Sequence, residues 1–483
     1  MTDDGADLAL PPWREMFVGR LGRITVGIVL METLFAIQTL VTITVLPAVV
    51  SDLGGIRLYG VALSASVLAG AVVLPVAARV ARRIGAGRTF VTSVVVFALG
   101  TTVVVTAGSM PVFILGRLVE GAGGGAQYAV ALAVVTRVYT ERQRPRLLAL
   151  WTAAWALPGL LGPSYGGLVA TTLGWRWAFG LLLPVLLVAA LLIAPALTGG
   201  AAGAPADSDK AEPMVSTSWL VALGVGSALV LTAMGLATRW AAPIGGLGVV
   251  VSLLAVRAIL PAGSFRARLG LPSTVATAFL STTAFFAADG LLPVILTGLR
   301  GRSLTEASVV ITLATLAWVG GSFLQTRLVT RVHRRHLVAI GAAAVVVGVL
   351  GVAAGALGAP LLLPYLAWTV AGFGMGLAYP TIALLAMEAA PVGNEETVLA
   401  QYQLADSLGA AVGPGLAGGV LSVALTAGAS LRTGLVAGLG LALAVAVLLL
   451  ATALLRFDRQ SDRQSDMQSD RQSDRQSDRK RQA

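Results

Sequence analysis

The 483-residue sequence has no cysteine, only two lysines (Lys210 and Lys480) and only two histidines (His333 and His336). Without cysteine there can be no disulfides, thiolate metal ligands or thiol nucleophiles. The phosphate-cradling pattern G-x-x-x-x-G-K-[ST] is missing, which argues against ATP-driven work by this chain alone. Both histidines fall in one basic connection, so a metal site or a Ser/His nucleophile has little to build on, and no cofactor is expected. Charge is scarce as well. Charged residues make up 12% of the chain against 56% hydrophobic, and a soluble protein carries about twice that charged share.

The few charges are segregated, which leaves apolar runs of about 20 residues, long enough to cross roughly 30 Å of hydrocarbon. Such runs lie near 24–48, 58–79, 89–108, 110–136, 146–170, 177–197, 217–236, 240–260, 272–298, 306–328, 337–356, 361–387, 397–427 and 432–455, fourteen in all. The segment ahead of the first is acidic and polar, unlike a cleavable signal peptide, and Trp13 and Arg14 suit an interfacial position. The net charge of +11 belongs to short connections and the tail, so membrane topology explains it better than nucleic acid does. Alternate connections carry the arginine clusters: Arg79, Arg82, Arg83 and Arg88, then Arg137, Arg142, Arg144 and Arg146, and later Arg327, Arg331, Arg334 and Arg335. The positive-inside rule then places both termini in the cytoplasm of a cell-membrane (inner or plasma membrane) protein.

The chain repeats itself. "ARVARRIGAGR" (78–88) resembles "TRLVTRVHRRH" (326–336), and "GAGGGAQYAVALAVV" (121–135) resembles "GFGMGLAYPTIALLAM" (372–387), with Tyr128 and Tyr379 in register. "GPSYGG" (162–167) matches "GPGLAG" (413–418), and Pro47 matches Pro293. The offsets lie between about 246 and 251 residues. An internal repeat of this kind marks two equivalent halves. The expected division is a cytoplasmic N-terminus (1–22), a six-helix bundle (23–198), a linker with two inserted spans (199–268), a second six-helix bundle (269–456) and a tail (457–483). The tail repeats D-R-Q-S without an apolar face and should be disordered, and 198–216 reads as a flexible linker.

With "VLPAVVSDLGG" (45–55), "GRLVEGAGGGAQ" (116–127), "LPGLLGPSYGG" (157–167) and "GWRWAFG" (174–180), the chain resembles the major facilitator superfamily, and within it the fourteen-helix drug:H⁺ antiporters. The resemblance covers nearly everything but the termini. It implies an all-α membrane fold of two six-helix bundles plus two extra central helices, around a cavity that opens alternately to each side. It also implies export of amphipathic, cationic small molecules in exchange for protons, by a monomer in the lipid bilayer. An exporter of a native lipid, siderophore or secondary metabolite fits the same pattern, and a non-transporting sensor or scaffold is the rival from another class. No enzymatic constellation is in register.

Ionisable groups inside the apolar runs are few: Glu32 in the first, Arg117 and Glu120 in the fourth, Asp289 in the ninth and Asp406 in the thirteenth. Each costs several kcal/mol, on the order of 3, to keep in the membrane. Arg117 and Glu120 are three apart and share a helix face, so they can pair. That pair is either an ion pair that makes both charges tolerable or part of a proton path. The resemblance implies a proton-coupling or cavity-lining role for Arg117, while similar transporters often carry glutamine where Glu120 stands. Neither Asp289 nor Asp406 has a basic residue within four positions, which makes both candidates to load and release a proton. Asp406 could instead hydrogen-bond a broken helix nearby. Gln38 stands roughly where many fourteen-helix relatives place a first-span acid, leaving Glu32 as a stand-in.

The cavity wall is expected to include Gln38, Tyr128, Tyr379, Phe286 next to Asp289, and Tyr402 and Gln403 just before Asp406. Trp155, at the repeat position of Asp406, and Trp151 one turn earlier belong to the same expectation. The connection after the second span, which in this superfamily usually reads G-x-x-x-D-R-x-G-R-R, has Arg82 at the acidic position. A reversed cytoplasmic latch is expected, with Arg82 or Arg83, near Arg88, pairing with Glu395 or Glu396; the alternative is an independent surface cluster. In "ALPGLLGPSYGG" (156–167), Pro158, Gly159, Gly162, Pro163, Gly166 and Gly167 form a bendable, close-packing stretch. With its repeat partner at Gly413 and Pro414, it is expected to lie on a seam where the halves rock.

Overall fold

The computed structural model describes residues 12–140, 143–198, 217–235, 240–329, 331–390 and 395–455, and among them there is no β-strand. The helices are α1 (Gly19–Leu53), α2 (Tyr59–Ile84), α3 (Ala86–Val105), α4 (Met110–Val138), α5 (Arg144–Thr172), α6 (Trp175–Gly180) and α7 (Leu182–Thr198). They continue with α8 (Thr217–Gly235), α9 (Ala241–Ile259), α10 (Leu271–Val294), α11 (Leu304–Leu328), α12 (Arg334–Ala356), α13 (Leu362–Glu388), α14 (Glu395–Thr426) and α15 (Leu431–Leu455). The pair α6–α7 makes one apolar rod, Trp175–Leu197. Among the described residues ten helices are long and apolar enough to cross a membrane, and α4, α5, α8 and α9 occupy the four remaining expected positions.

The helices outrun the apolar runs. α1 begins at Gly19, inside the segment expected to be an N-terminal tail, and ends at Leu53; its end turns carry Arg20, Arg23 and Asp52, polar residues that hydropathy alone assigns to connections. Local chemistry sets several boundaries. Ser303 and Glu306 form a reciprocal capping box at the start of α11. Pro111, Pro145 and Pro272 occupy first-turn positions of α4, α5 and α10, where a missing N–H costs nothing. The break between α2 and α3 falls on Gly85, at φ 92°, which a side chain would resist.

The repeated glycines explain how the bundles are so tightly drawn together. In α4, a methyl group on Gly121 would strike the backbone of Ser66 and one on Gly125 the backbone of Gly70, both in α2, while one on Gly123 would strike Phe97 in α3. In α13, Gly372 and Gly376 are covered in the same way by Ala314 and Trp318 of α11, and Gly374 by Gly341 and Ala344 of α12. Successive glycines of G-x-G-x-G therefore admit two neighbours in turn. Backbone contact of this kind is what holds helices together where lipid removes the hydrophobic drive between them.

The two sets of helices meet along α2–α14 and α5–α11. α8 and α9 pack on each other, and Leu223, Ala255 and Ile259 bury against Ala71 of α2 and Leu408 of α14. The outer surface is apolar, with Leu191, Phe323, Leu362 and Val423 all exposed, as a hydrocarbon solvent permits.

Candidate functional site

A cavity of about 660 Å³ lies between the two sets of helices, with walls from α1, α2, α3, α4, α7, α10, α11, α13 and α14. One end is closed by backbone. Gly60 at the start of α2 lies against Gly418 and the carbonyls of Pro414 and Gly415 in α14, and Gly167 late in α5 lies against Ser308 early in α11. The Ser164 and Thr312 hydroxyls are 3.4 Å apart along the same α5–α11 line. The cavity reaches the other way, to Ile24, Ile193 and Thr326, near the end where α1 begins and α7 and α11 finish.

The carboxylates occupy distinct places. Glu32, Asp289 and Asp406 line the cavity, as does Arg117. Arg117 forms a buried ion pair with Glu120, and Glu120 also accepts from the Thr101 hydroxyl at 2.8 Å. Glu120 is fully buried and does not line the cavity. The three-residue spacing expected to allow pairing does bring the two together, and Thr101 on α3 completes the site. Asp289 Oδ1 accepts from Trp368 Nε1 at 2.8 Å. Asp406 Oδ2 accepts from the Tyr379 hydroxyl at 3.1 Å and from Gln403 Nε2 at 3.3 Å, while its Oδ1 is buried with no hydrogen-bond partner. Among the described residues neither aspartate forms an ion pair.

An aromatic wall connects the two aspartates. Phe285 stacks on Trp368 with ring centroids 4.8 Å apart, meets Trp318 edge-on at 5.2 Å, and Trp318 in turn meets Tyr379 at 5.6 Å. Indole and phenol groups thus hydrogen-bond an acid at each end. Such a wall offers flat π faces to an organic cation, with a carboxylate at either end. Trp318 and Trp368 were not among the residues singled out from sequence. Trp368 lies four residues before the α13 glycine motif, and a helical wheel centred on Asp289 alone could not place another helix's indole.

Other expectations are corrected. Gln38 does not line the cavity: it is buried in α1 with both amide atoms unpartnered, because the helix turn that brings Phe35 and Thr42 to the wall leaves it to one side. Tyr402 likewise packs in a core cluster with Ala278, Ile382 and Val398 and hydrogen-bonds the Tyr379 carbonyl at 3.5 Å, so it supports the wall from behind. Phe286, Tyr128, Tyr379 and Gln403 do line it. The side chains of Trp151 and Trp155, and of Glu395 and Glu396, lie outside the described residues, so the expected latch to Arg82, Arg83 and Arg88 is not placed. Nearby, Arg334 forms an ion pair with Glu388.

α5 runs unbroken through Pro158 and Pro163. Pro158 deprives the Ala154 carbonyl of its helical donor, and the Thr33 hydroxyl of α1 reaches that carbonyl at 3.4 Å, a neighbour supplying the lost bond. The glycine stripe serves two partners: Gly162 and Gly166 face α1, while Gly159 and Gly167 face Thr315 and Ser308 of α11. In α14 a methyl group on Gly413 would meet the Thr283 carbonyl of α10, and Pro414 lies against Gly60 and Gly290. At the closed end, Asp52 Oδ2 accepts from Trp175 Nε1 (3.0 Å) and Arg176 (2.7 Å), whose second nitrogen reaches the Ala107 carbonyl at 2.9 Å. The separated stretches "VLPAVVSDLGG" and "GWRWAFG" therefore meet in one place.

Residues 28–414 match the sequence description of the Major Facilitator Superfamily. The chain is 24% identical over 414 residues to the multidrug transporter protein MdtP of Bacillus subtilis, covering 82% of this chain and 74% of that one. It is 28% identical over 436 residues to a "Probable multidrug-efflux transporter" of Mycobacterium tuberculosis, covering 85% and 90%. Among solved structures, an inward-facing bacterial homolog of the human lysosomal transporter Spinster superposes with a TM-score of 0.63 at 13% identity, over 90% of this chain and 96% of that one. A peptide transporter bound to alafosfalin gives a TM-score of 0.65 at 14% identity, with the same coverage.

Proposed function

The chain belongs to the Major Facilitator Superfamily, and from that premise we propose that this multi-pass membrane transport protein exports amphipathic organic cations in exchange for protons by alternating access. That it is a transporter and not an enzyme follows from the family and from relatives named as transporters. The observation that carries the finer reading is the pair Asp289 and Asp406: two buried carboxyls, without an ion pair among the described residues, at the two ends of an aromatic wall inside the cavity. A scaffold has no reason to bear their cost in a membrane.

The loop arginines put the accessible end of the cavity in the cytoplasm. In this state an ionised Asp406 attracts the cation while Trp318, Phe285 and Tyr379 cover its apolar body. After the halves rock about the α2–α14 and α5–α11 contacts, protons arriving from outside neutralise the carboxyls and the cation leaves. The protonated protein returns and releases its protons to the cytoplasm. Arg117 is committed to Glu120, so its charge is balanced within α4 and it lines the cavity as half of an ion pair.

The test is ethidium efflux from energised cells or proteoliposomes, with and without a protonophore. Wild type is expected to export and to stop when the proton gradient is removed, while Asp289→Asn and Asp406→Asn each lose gradient-dependent efflux. Wild-type efflux indifferent to the protonophore would refute proton coupling. The apolar majority of the cavity lining supports a second reading, export of a native lipid or metabolite, which an absence of efflux for every cationic dye would favour.

A further inference from the structure

At the closed end of the cavity a second hydrogen bond, besides that between the Ser164 and Thr312 hydroxyls, crosses between the two sets of helices. Tyr59, the first residue of α2, is fully buried, and its hydroxyl donates to the backbone carbonyl of Gly290 in α10 at 2.8 Å. Gly290 follows Asp289. The residue after Tyr59 is Gly60, which touches Gly418 of α14, and Gly290 is itself covered by Leu63 of α2 and Pro414 of α14. The tightest part of the closure and the buried acid are therefore adjacent along one helix.

α10 is weakened at the same place. Pro293 has no N–H to give the carbonyl of Asp289, its partner in a regular helix, and beginning two residues later Ile295–Leu299 wind as a π turn. Stretches of this kind recur where helices change shape for function. Separating α2 from α10 must break the Tyr59–Gly290 bond, remove Leu63 from Gly290 and uncover the residue beside it.

We propose that Tyr59 is the positioning residue that shuts Asp289 away from the closed end: its bond to the Gly290 carbonyl holds the seal, and its release is the step that opens Asp289 to protons from that side. The proposal rests on the reading of Asp289 as a proton carrier. Around Asp289, α13 contributes the Trp368 indole, α2 the Tyr59 phenol, α1 Glu32 and α14 Asp406 on the same cavity, and α4 the Arg117–Glu120 pair. α2, α11, α12 and α13 carry charged side chains only in their first or last two turns. Among the described residues no cation pairs with the aspartate, so the seal governs its exchange with the far side.

The experiment uses full-length protein in proteoliposomes with an entrapped pH dye and an imposed proton gradient, without substrate. Tyr59→Phe keeps the ring and removes only the hydroxyl. It is expected to raise passive proton entry by about threefold to tenfold, the worth of one neutral hydrogen bond, and Tyr59→Phe/Asp289→Asn to return it to the wild-type level. A second readout needs no proton. The chain has no cysteine, so Leu63→Cys supplies a unique thiol where the seal meets the cavity, and Tyr59→Phe should speed its reaction with an impermeant maleimide added only on the closed side by a similar factor. Unchanged leak and unchanged labelling would overturn the latch. A leak that survives Asp289→Asn would overturn the connection to Asp289. If Asp289→Asn with Tyr59 intact keeps protonophore-sensitive efflux, the proton-carrier reading fails, and labelling alone then decides whether Tyr59 holds the seal.

Discussion

Arg117 and Glu120 show how a membrane core tolerates charge. Each cancels the other, Thr101 supplies a further donor, and the guanidinium carbon lies over the Phe179 ring, 5.9 Å from its centroid. Glu120→Gln leaves a buried guanidinium without its counter-charge, which costs about 3–5 kcal/mol when one partner of a buried pair is removed. The purified variant should unfold at markedly lower temperature in detergent. Arg117→Met/Glu120→Met, which removes both charges, should recover much of that loss; a double variant no more stable than the single would show that the pair is not the source. The spacing of these two residues was legible because a helix puts positions three apart together. Trp368 beside Asp289 was not, because nothing along α10 records which side chain α13 presents to it.

At the scale of helices, the informative feature is alternation within G-x-G-x-G. Gly121 and Gly320 make a controlled comparison. A side chain at Gly121 would enter the backbone of Ser66, whereas nothing lies within 4 Å of one at Gly320 in α11. Gly121→Val should abolish recovery of folded protein after extraction, since neither backbone can yield. Gly320→Ala should change stability by no more than about 1 kcal/mol, and in the favourable direction where helix propensity governs. Equal behaviour of the two in size-exclusion and thermal-unfolding measurements would contradict the packing account. The same element-scale view revises "ALPGLLGPSYGG": its glycines divide between α1 and α11, and Thr33 offsets part of what Pro158 removes. Its repeat partner in α14 leans on α10 and α2. Among the described residues the first stretch meets α1 and α11 and the second meets α10 and α2, so each faces helices of both halves.

For the molecule as a whole, alternating access requires the closed end to open, and the absence of native cysteine makes that directly testable. A Cβ at Gly415 would lie 3.6 Å from the Cβ of Ser64, inside the range a disulfide spans. Ser64→Cys/Gly415→Cys should therefore cross-link α2 to α14 under mild oxidation, stop transport, and regain it on reduction. Full transport by the oxidised, cross-linked protein would exclude opening at this contact. The hairpin of α8 and α9 adds a feature that the repeat alone does not supply, since its apolar side chains bury against both Ala71 of α2 and Leu408 of α14. It lies across the seam between the halves.

Apolar run length and the alternation of arginine-rich connections were enough to give an all-helical membrane protein, because hydrocarbon thickness and backbone hydrogen bonding leave few other solutions; the superfamily was read from the resemblance carried by motifs such as "GRLVEGAGGGAQ" and "GWRWAFG". They also picked out Asp289, Asp406, Glu32 and Arg117, since ionisable groups stand out against an apolar chain. The tertiary structure alone decided what surrounds them. It moved Gln38 and Tyr402 off the cavity wall, set Trp318 into it with Trp368 behind Phe285, and carried Tyr59 across to the Gly290 carbonyl. Those outcomes depend on rotation and approach between helices distant in sequence, which the glycine contacts between helices fix and which no single helix encodes.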